Sequence, residues 1–166
     1  FNEKHNNPYN NRKVNFVFVG VGELDDFFIT FIKYIEKKNN NYLFHMLGPI
    51  RNKFHSKNTF FYGELSFNKT IPFIKFADIG IQVRNYSVGI EVLEKSLKVI
   101  QYSYCQLPII SPDYLKLNGK NIFAYSKTFN SVLIAIEGAL KYDRKNYDNS
   151  WIKNWDQVFY DIILDK

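Results

Sequence analysis

The sequence predicts an α/β domain: a Rossmann-like, mostly parallel sheet with helices on both faces. Three observations carry that expectation. Val14–Val19 is a continuous apolar, β-branched run, the pattern of a strand buried on both sides. Further short apolar runs follow along the chain, separated by stretches with apolar residues at helical spacing. Glycine turns punctuate the strand ends at Gly20-Val21-Gly22, Gly48-Pro49 and Gly63-Glu64. Alternation at this spacing brings parallel strands side by side beneath crossover helices.

Residues 1–12, with Asn6-Asn7-Pro8-Tyr9-Asn10-Asn11, read as a loop or incoming linker, which leaves 13–166 as a single domain. After the first strand, Asp25 and Asp26 open a helix with Phe28, Phe31, Ile32 and Ile35 on one face; acidic residues in a first turn suit the helix dipole. Asn39-Asn40-Asn41 stops it, and Tyr42–Leu47 is the second strand. Residues 59–62 make a short third strand, and 70–76 a helix that places Pro72 in its first turn, where proline is tolerated. A strand over 78–83 leads through the loop 84–89 to a helix carrying Lys98 and Gln101, with Leu93, Leu97 and Ile100 packing inward. Short strands at 108–111 and 121–125 precede a helix over 131–141, with Leu133, Ile136 and Leu140 inward. The last segment, 151–164, is an amphipathic helix with Trp155, Val158, Phe159, Ile162 and Ile163 as its apolar face.

At 166 residues the chain is long enough for one self-sufficient core. Its hydrophobic fraction of 46% and aromatic fraction of 18% exclude disorder for most of it. The net charge of +6 permits an anionic partner, yet the basic residues are scattered rather than clustered with aromatics, which disfavours nucleic acid. A lone cysteine, Cys105, beside an apolar strand suits a core thiol and a reducing, cytoplasmic setting. No apolar run is long enough to span a bilayer, and the polar first residues are unlike a signal peptide.

The chemistry-bearing residues are few. Gly20-Val21-Gly22 stands at a strand-to-helix turn, but Asp25 occupies the place of the third glycine of a dinucleotide fingerprint, and an acidic pair would repel a pyrophosphate there. A tight turn needing glycine explains it equally well. Glu64, at a strand end, can accept hydrogen bonds from ribose hydroxyls or stay a surface acid. Lys98 and Gln101, one turn apart, combine a point charge for phosphate with a neutral donor and acceptor, just before the strand led by Pro108. Ordinary pairing with Glu94 one turn earlier is the competing account of Lys98. His5, His45 and His55 have no ligand-like spacing with each other or Cys105, so no metal site is expected, and His45 reads as a hydrogen-bonded core residue. No phosphate-binding lysine loop and no nucleophile triad is present, so neither an NTPase nor a catalytic residue can be assigned.

Taken in order, Phe60-Phe61-Tyr62-Gly63-Glu64, Thr70-Ile71-Pro72-Phe73-Ile74-Lys75, Ala77-Asp78-Ile79-Gly80-Ile81, Ser96-Leu97-Lys98-Val99-Ile100-Gln101-Tyr102 and Leu107-Pro108 resemble the C-terminal, donor-binding half of GT-B glycosyltransferases. The likeness is to the xanthan-type β-glucuronosyltransferase family, which moves glucuronate from UDP-glucuronate to a lipid-linked glycan, and it runs from about Val14 to Ser131. It implies that residues 13–166 bind a nucleotide sugar, with Glu64 in the donor pocket, Lys98 on the donor phosphates, Gln101 as its polar partner, and Val21 and Gly22 at the nucleotide loop. That loop is one residue shorter than the family's, and Leu97 replaces a methionine whose backbone faces the nucleotide. Arg84 stands where the family has a tyrosine, and an arginine can pair with a carboxylate or phosphate.

The implied activity is inverting, metal-independent transfer from a UDP-sugar in capsule or exopolysaccharide assembly, with no cofactor besides that donor substrate. The acceptor site and the catalytic base belong to an N-terminal domain for which this chain has no room; a sequence opening at Phe1 fits half of such an enzyme. Its partners would be that domain and, through it, a lipid-linked glycan at the inner face of the membrane. The competing expectations are a non-catalytic interaction module that has lost the ligand, and half of a UDP-sugar epimerase.

Overall fold

The computed structural model describes residues 4–38, 41–83 and 96–146. Among them β1 (Val14–Val19), α1 (Asp26–Lys38), β2 (Tyr42–Leu47), β3 (Thr59–Gly63), α2 (Phe67–Phe76), β4 (Ile79–Ile81), α3 (Leu97–Tyr104), β5 (Ile109–Pro112), β6 (Ile122–Tyr125) and α4 (Phe129–Leu140) follow in order. The six strands form one sheet in the order β3-β2-β1-β4-β5-β6, every neighbouring pair parallel. The order reverses between β1 and β4, which makes the carboxyl ends of those two strands the switch point where ligands of open α/β sheets bind.

Strand alternation divides the interior into two layers. Phe16 and Phe18 of β1 join Phe28, Phe31 and Ile32 of α1 and Val132, Ala135 and Ile136 of α4 on one face. Val17 joins Ile74 of α2 and Val99 and Tyr102 of α3 on the other. Helices therefore cover both faces, as the buried apolar runs require. The first layer is rich in rings: Phe16 stacks on Phe44 with centroids 4.8 Å apart, and Phe28 meets Phe44 edge-on at 6.4 Å.

Several local expectations are corrected. α2 begins at Phe67 because the amides of Lys69 and Thr70 both bond the Ser66 carbonyl, closing a turn three residues before the apolar pattern starts. Pro72 thus lies inside the helix, and the Asn68 carbonyl it cannot serve belongs to an exposed residue. α3 starts only at Leu97; its buried residues are Val99, Tyr102 and Ser103, while Leu97 is 66% exposed rather than inward. A helix beginning there docks through Val99 and Tyr102, three apart, which turns Leu97 outward. In α4 the inward residues are Val132, Ala135, Ile136 and Ala139; Leu133 is only partly buried and Leu140 is exposed. Arg84, Leu93 and the expected helix over 151–164 lie outside the described residues.

Candidate functional site

Beyond the carboxyl ends of β1, β2 and β3 lies a cleft of about 200 Å³. Val19, Gly20 and Val21 line it from β1, Leu47, Gly48 and Pro49 from β2, and Glu64, Leu65 and Thr70 from the β3–α2 connection. Its walls are held by the main chain. Gly20 donates to the Leu47 carbonyl at 2.9 Å, Gly48 to Gly63 at 2.7 Å, and Gly22 to Pro49 at 3.2 Å. Gly48 has φ +115°, and a Cβ there would collide with the Gly20 carbonyl oxygen, so this approach of two strand ends requires glycine.

Lys98 enters at the margin of this cleft from the first turn of α3. Its Nζ lies 4.1 Å from the centroid of the Phe18 ring, and a Cβ on Gly20 would come within 3.1 Å of it. A cation is thereby set over the edge of β1 at the switch point, held on an aromatic face. Ser96 caps α3 without a side-chain hydrogen bond. The Val99 and Ile100 amides of this turn bond the Ser96 carbonyl at 2.9 and 3.3 Å, and the positive end of the helix dipole lies beside the lysine, so both favour an anion at one place.

Tyr102 fixes α3 to the sheet. Its hydroxyl accepts from the Val19 amide at 2.9 Å and donates to the Val17 carbonyl at 3.2 Å, filling the gap where β1 parts from β4. The ring is fully buried and packs so tightly on β4 that a Cβ at Gly80 would come within 2.6 Å of it. Burial pushes its hydroxyl pKa well up, so it stays protonated.

Asp25 does not present a free carboxylate to a ligand. It is buried, its Oδ1 accepts from the Phe27 amide at 2.8 Å as the cap of α1, and its Oδ2 meets Lys127 Nζ at 2.9 Å and the Tyr114 hydroxyl at 3.2 Å. The repulsion of a pyrophosphate expected from this residue is therefore offset by Lys127. His45 lies on the α2 side of β2, with its Nδ1 at 2.9 Å from the Tyr62 hydroxyl and its Nε2 at 3.1 Å from Asn15 Oδ1. Asn15 Nδ2 donates to the Lys13 carbonyl, so its Oδ1 is the acceptor facing His45, which puts the ring proton on Nε2. Burial lowers the His45 pKa from 6.5 to about 4. It is the hydrogen-bonded core histidine that its strand position implied.

The predicted residues are only partly brought together. Val21 and Glu64 line the cleft, and Lys98 stands beside it. Gly22 follows directly, with φ +110° and its amide on Pro49, so its documented role is the turn. Leu97 is exposed next to Lys98, whereas Gln101 is half-buried and does not line the cleft. Among the described residues no group of three His, Cys, Asp or Glu side chains is arranged to hold a metal ion, and no helix is long and apolar enough to cross a membrane. The sequence reading missed Tyr102, whose signal was an aromatic residue on α3 facing a strand glycine, and Arg144, which donates to the carbonyls of Ala77 at 2.9 Å and Cys105 at 2.8 Å. Nothing local in the sequence announces Arg144, because both partners lie dozens of residues away.

No protein-family model matches the sequence. The chain is similar to the UDP-glucuronate:glycolipid 2-beta-glucuronosyltransferase of Xanthomonas campestris pv. campestris, at 31% identity over 121 residues covering 69% of this chain and 30% of that protein. Among solved structures it is similar to WaaG, a glycosyltransferase involved in lipopolysaccharide biosynthesis, with TM-score 0.51 at 15% identity over 85% of this chain and 41% of that one. It is also similar to the apo form of the lipopolysaccharide outer core galactosyltransferase WaaB, with TM-score 0.50 at 15% identity over 93% and 51% of the two chains. The chain thus spans less than a third of the curated relative and about half of WaaB. The parallel six-stranded sheet, its strand order and these likenesses agree: this chain is a Rossmann-like domain of the GT-B glycosyltransferase fold.

Proposed function

We propose that this domain binds the UDP-sugar donor of an inverting, metal-independent glycosyltransferase of polysaccharide assembly, with UDP-glucuronate as the donor, and that it is inactive without an N-terminal acceptor domain. The observation that carries the reading is the ammonium of Lys98 poised over Phe18 and Gly20 at the switch point, beside an apolar cleft of about 200 Å³. In this reading the cleft takes the base and Glu64 accepts from ribose hydroxyls. Lys98 and the α3 amides take the diphosphate.

The chemistry follows from that placement. A base on the acceptor domain removes the proton of the acceptor hydroxyl, whose oxygen attacks the anomeric carbon as the bond to the β-phosphate oxygen breaks. Negative charge grows on the departing UDP, where Lys98 and the helix dipole stabilise it more strongly than in the ground state. Domain closure would align the two substrates and expel water. The lipid-linked acceptor would bring the enzyme to the cytoplasmic face of the membrane.

Calorimetric titration of the chain with UDP tests the reading. Saturable binding that Lys98→Ala weakens about tenfold or more is expected, the scale of one lost charge-assisted contact. Purified chain should show no transfer from UDP-glucuronate to a glycolipid acceptor. Absence of any UDP binding by the folded protein would favour an interaction module.

A further inference from the structure

Gln82 is the first residue past β4, and its amide continues the ladder to the Ile110 carbonyl at 3.0 Å. Its side chain is fully buried, yet neither Oε1 nor Nε2 has a hydrogen-bond partner among the described residues. A buried carboxamide with both ends unpaired is strongly unfavourable, and a leucine would serve packing better. Asn121, a buried amide at the opposite, amino end of the sheet, is different: it leaves Oδ1 unpaired but bonds Ser103 and the Leu107 carbonyl through Nδ2.

Position says what Gln82 is for. Gly80, two residues earlier, faces Tyr102 and Leu107, so Gln82 lies on the α2/α3 face of the sheet. One step beyond the Ile81–Ile110 pair in register is Ser111, on the same face and 1% exposed, whose Oγ reaches only its neighbour's carbonyl at 3.4 Å. The carboxyl edge therefore carries an apolar cleft at β1–β3, an ammonium over β1, an unpaired carboxamide just past β4, and a serine on β5 whose hydroxyl makes one long bond to its neighbour's carbonyl. A nucleotide sugar has the same linear order of base, diphosphate and sugar.

We propose that Gln82, with Ser111 beside it, reads hydroxyls of the donor sugar; this rests on the UDP-sugar reading above. A carboxamide offers an acceptor and two N–H donors, which match adjacent sugar hydroxyls, each both donor and acceptor. The stability given up in the free protein returns as selectivity when the sugar pairs the amide.

The test titrates the full chain with UDP and with UDP-glucuronate, UDP-galactose and UDP-glucose, using wild type, Gln82→Leu, Ser111→Ala and Lys98→Ala. Gln82→Leu should melt at a higher temperature without ligand, bind UDP as wild type does, and lose about tenfold or more in affinity for the tightest-binding UDP-sugar, as expected when a hydrogen-bonding partner is removed from a bound hydroxyl. Ser111→Ala, too small a change to threaten folding, should show a weaker loss of the same kind. Lys98→Ala should weaken UDP and UDP-sugars together. Unchanged UDP-sugar affinity in Gln82→Leu and Ser111→Ala, or an equal loss for UDP and UDP-sugar, overturns the assignment while leaving the donor reading intact. A wild type that binds none of the four ligands overturns both.

Discussion

The two faces of the sheet are built differently. Against α1 and α4 the layer is almost wholly apolar: Phe16, Phe18, Phe28, Phe31, Phe44 and Ile32 are buried there, and the rings of Phe16, Phe28, Phe31 and Phe44 pack against one another. Against α2 and α3 three of the six strands, and the residue just past a fourth, contribute a buried polar group: Asn15 on β1, His45 on β2, Gln82 after β4 and Ser111 on β5. Burying polar groups costs stability unless each finds a partner, whereas apolar burial is favourable without one. The apolar face can thus hold the fold while the polar face carries Lys98 and Tyr102, the residues on which the proposed donor site rests.

This contrast can be broken at graded cost. Phe28→Ala on the apolar face removes a fully buried ring and should destabilise the domain by about 3–5 kcal/mol in urea unfolding. A loss under about 1 kcal/mol would mean that this face is not the principal core.

On the polar face, His45 makes stability depend on pH. Burial lowers its folded pKa to about 4, below its ordinary 6.5, so the unfolded chain binds the proton more readily. Its contribution is present above pH 6.5 and falls away as pH drops toward 4, by about 3 kcal/mol across that window. Urea unfolding at pH 7, 5.5 and 4 should show this decline, and His45→Gln should flatten it; equal slopes in the two proteins would remove His45 from the account. Smallest of the three, Tyr102→Phe keeps the packed ring but strands the Val19 amide and Val17 carbonyl, a loss of about 1–2 kcal/mol. Because Tyr102 anchors the helix bearing Lys98, the same variant should weaken UDP binding, and unaltered affinity would show that α3 holds its position without the hydroxyl.

Much of this architecture was legible in the residues themselves. The limits of β1 and β2, the inward face of α1, and the parallel α/β plan follow from periodicities of two and 3.6, which are properties of neighbouring residues. The onsets of α2 and α3 were not, because a helix start depends on which carbonyl first captures an amide, and a serine or proline nearby does not settle that. Val21, Glu64 and Lys98 could be singled out because strand ends and residue chemistry are visible in the chain. Their spacing around one cleft could not, since Lys98 reaches Gly20 across 78 positions of sequence.

The sequence by itself determined the class of the fold, the strands that are buried on both faces, and which side chains are chemically able to meet a phosphate or a ribose. Only the tertiary structure decided that Asp25 is neutralised by Lys127, that Tyr102 closes the gap between β1 and β4, and that Gln82 is buried with nothing to bond among the described residues. The physical reason is range. Periodicity and propensity act over a turn or a strand, whereas pairing a buried polar group depends on partners that folding brings from far along the chain.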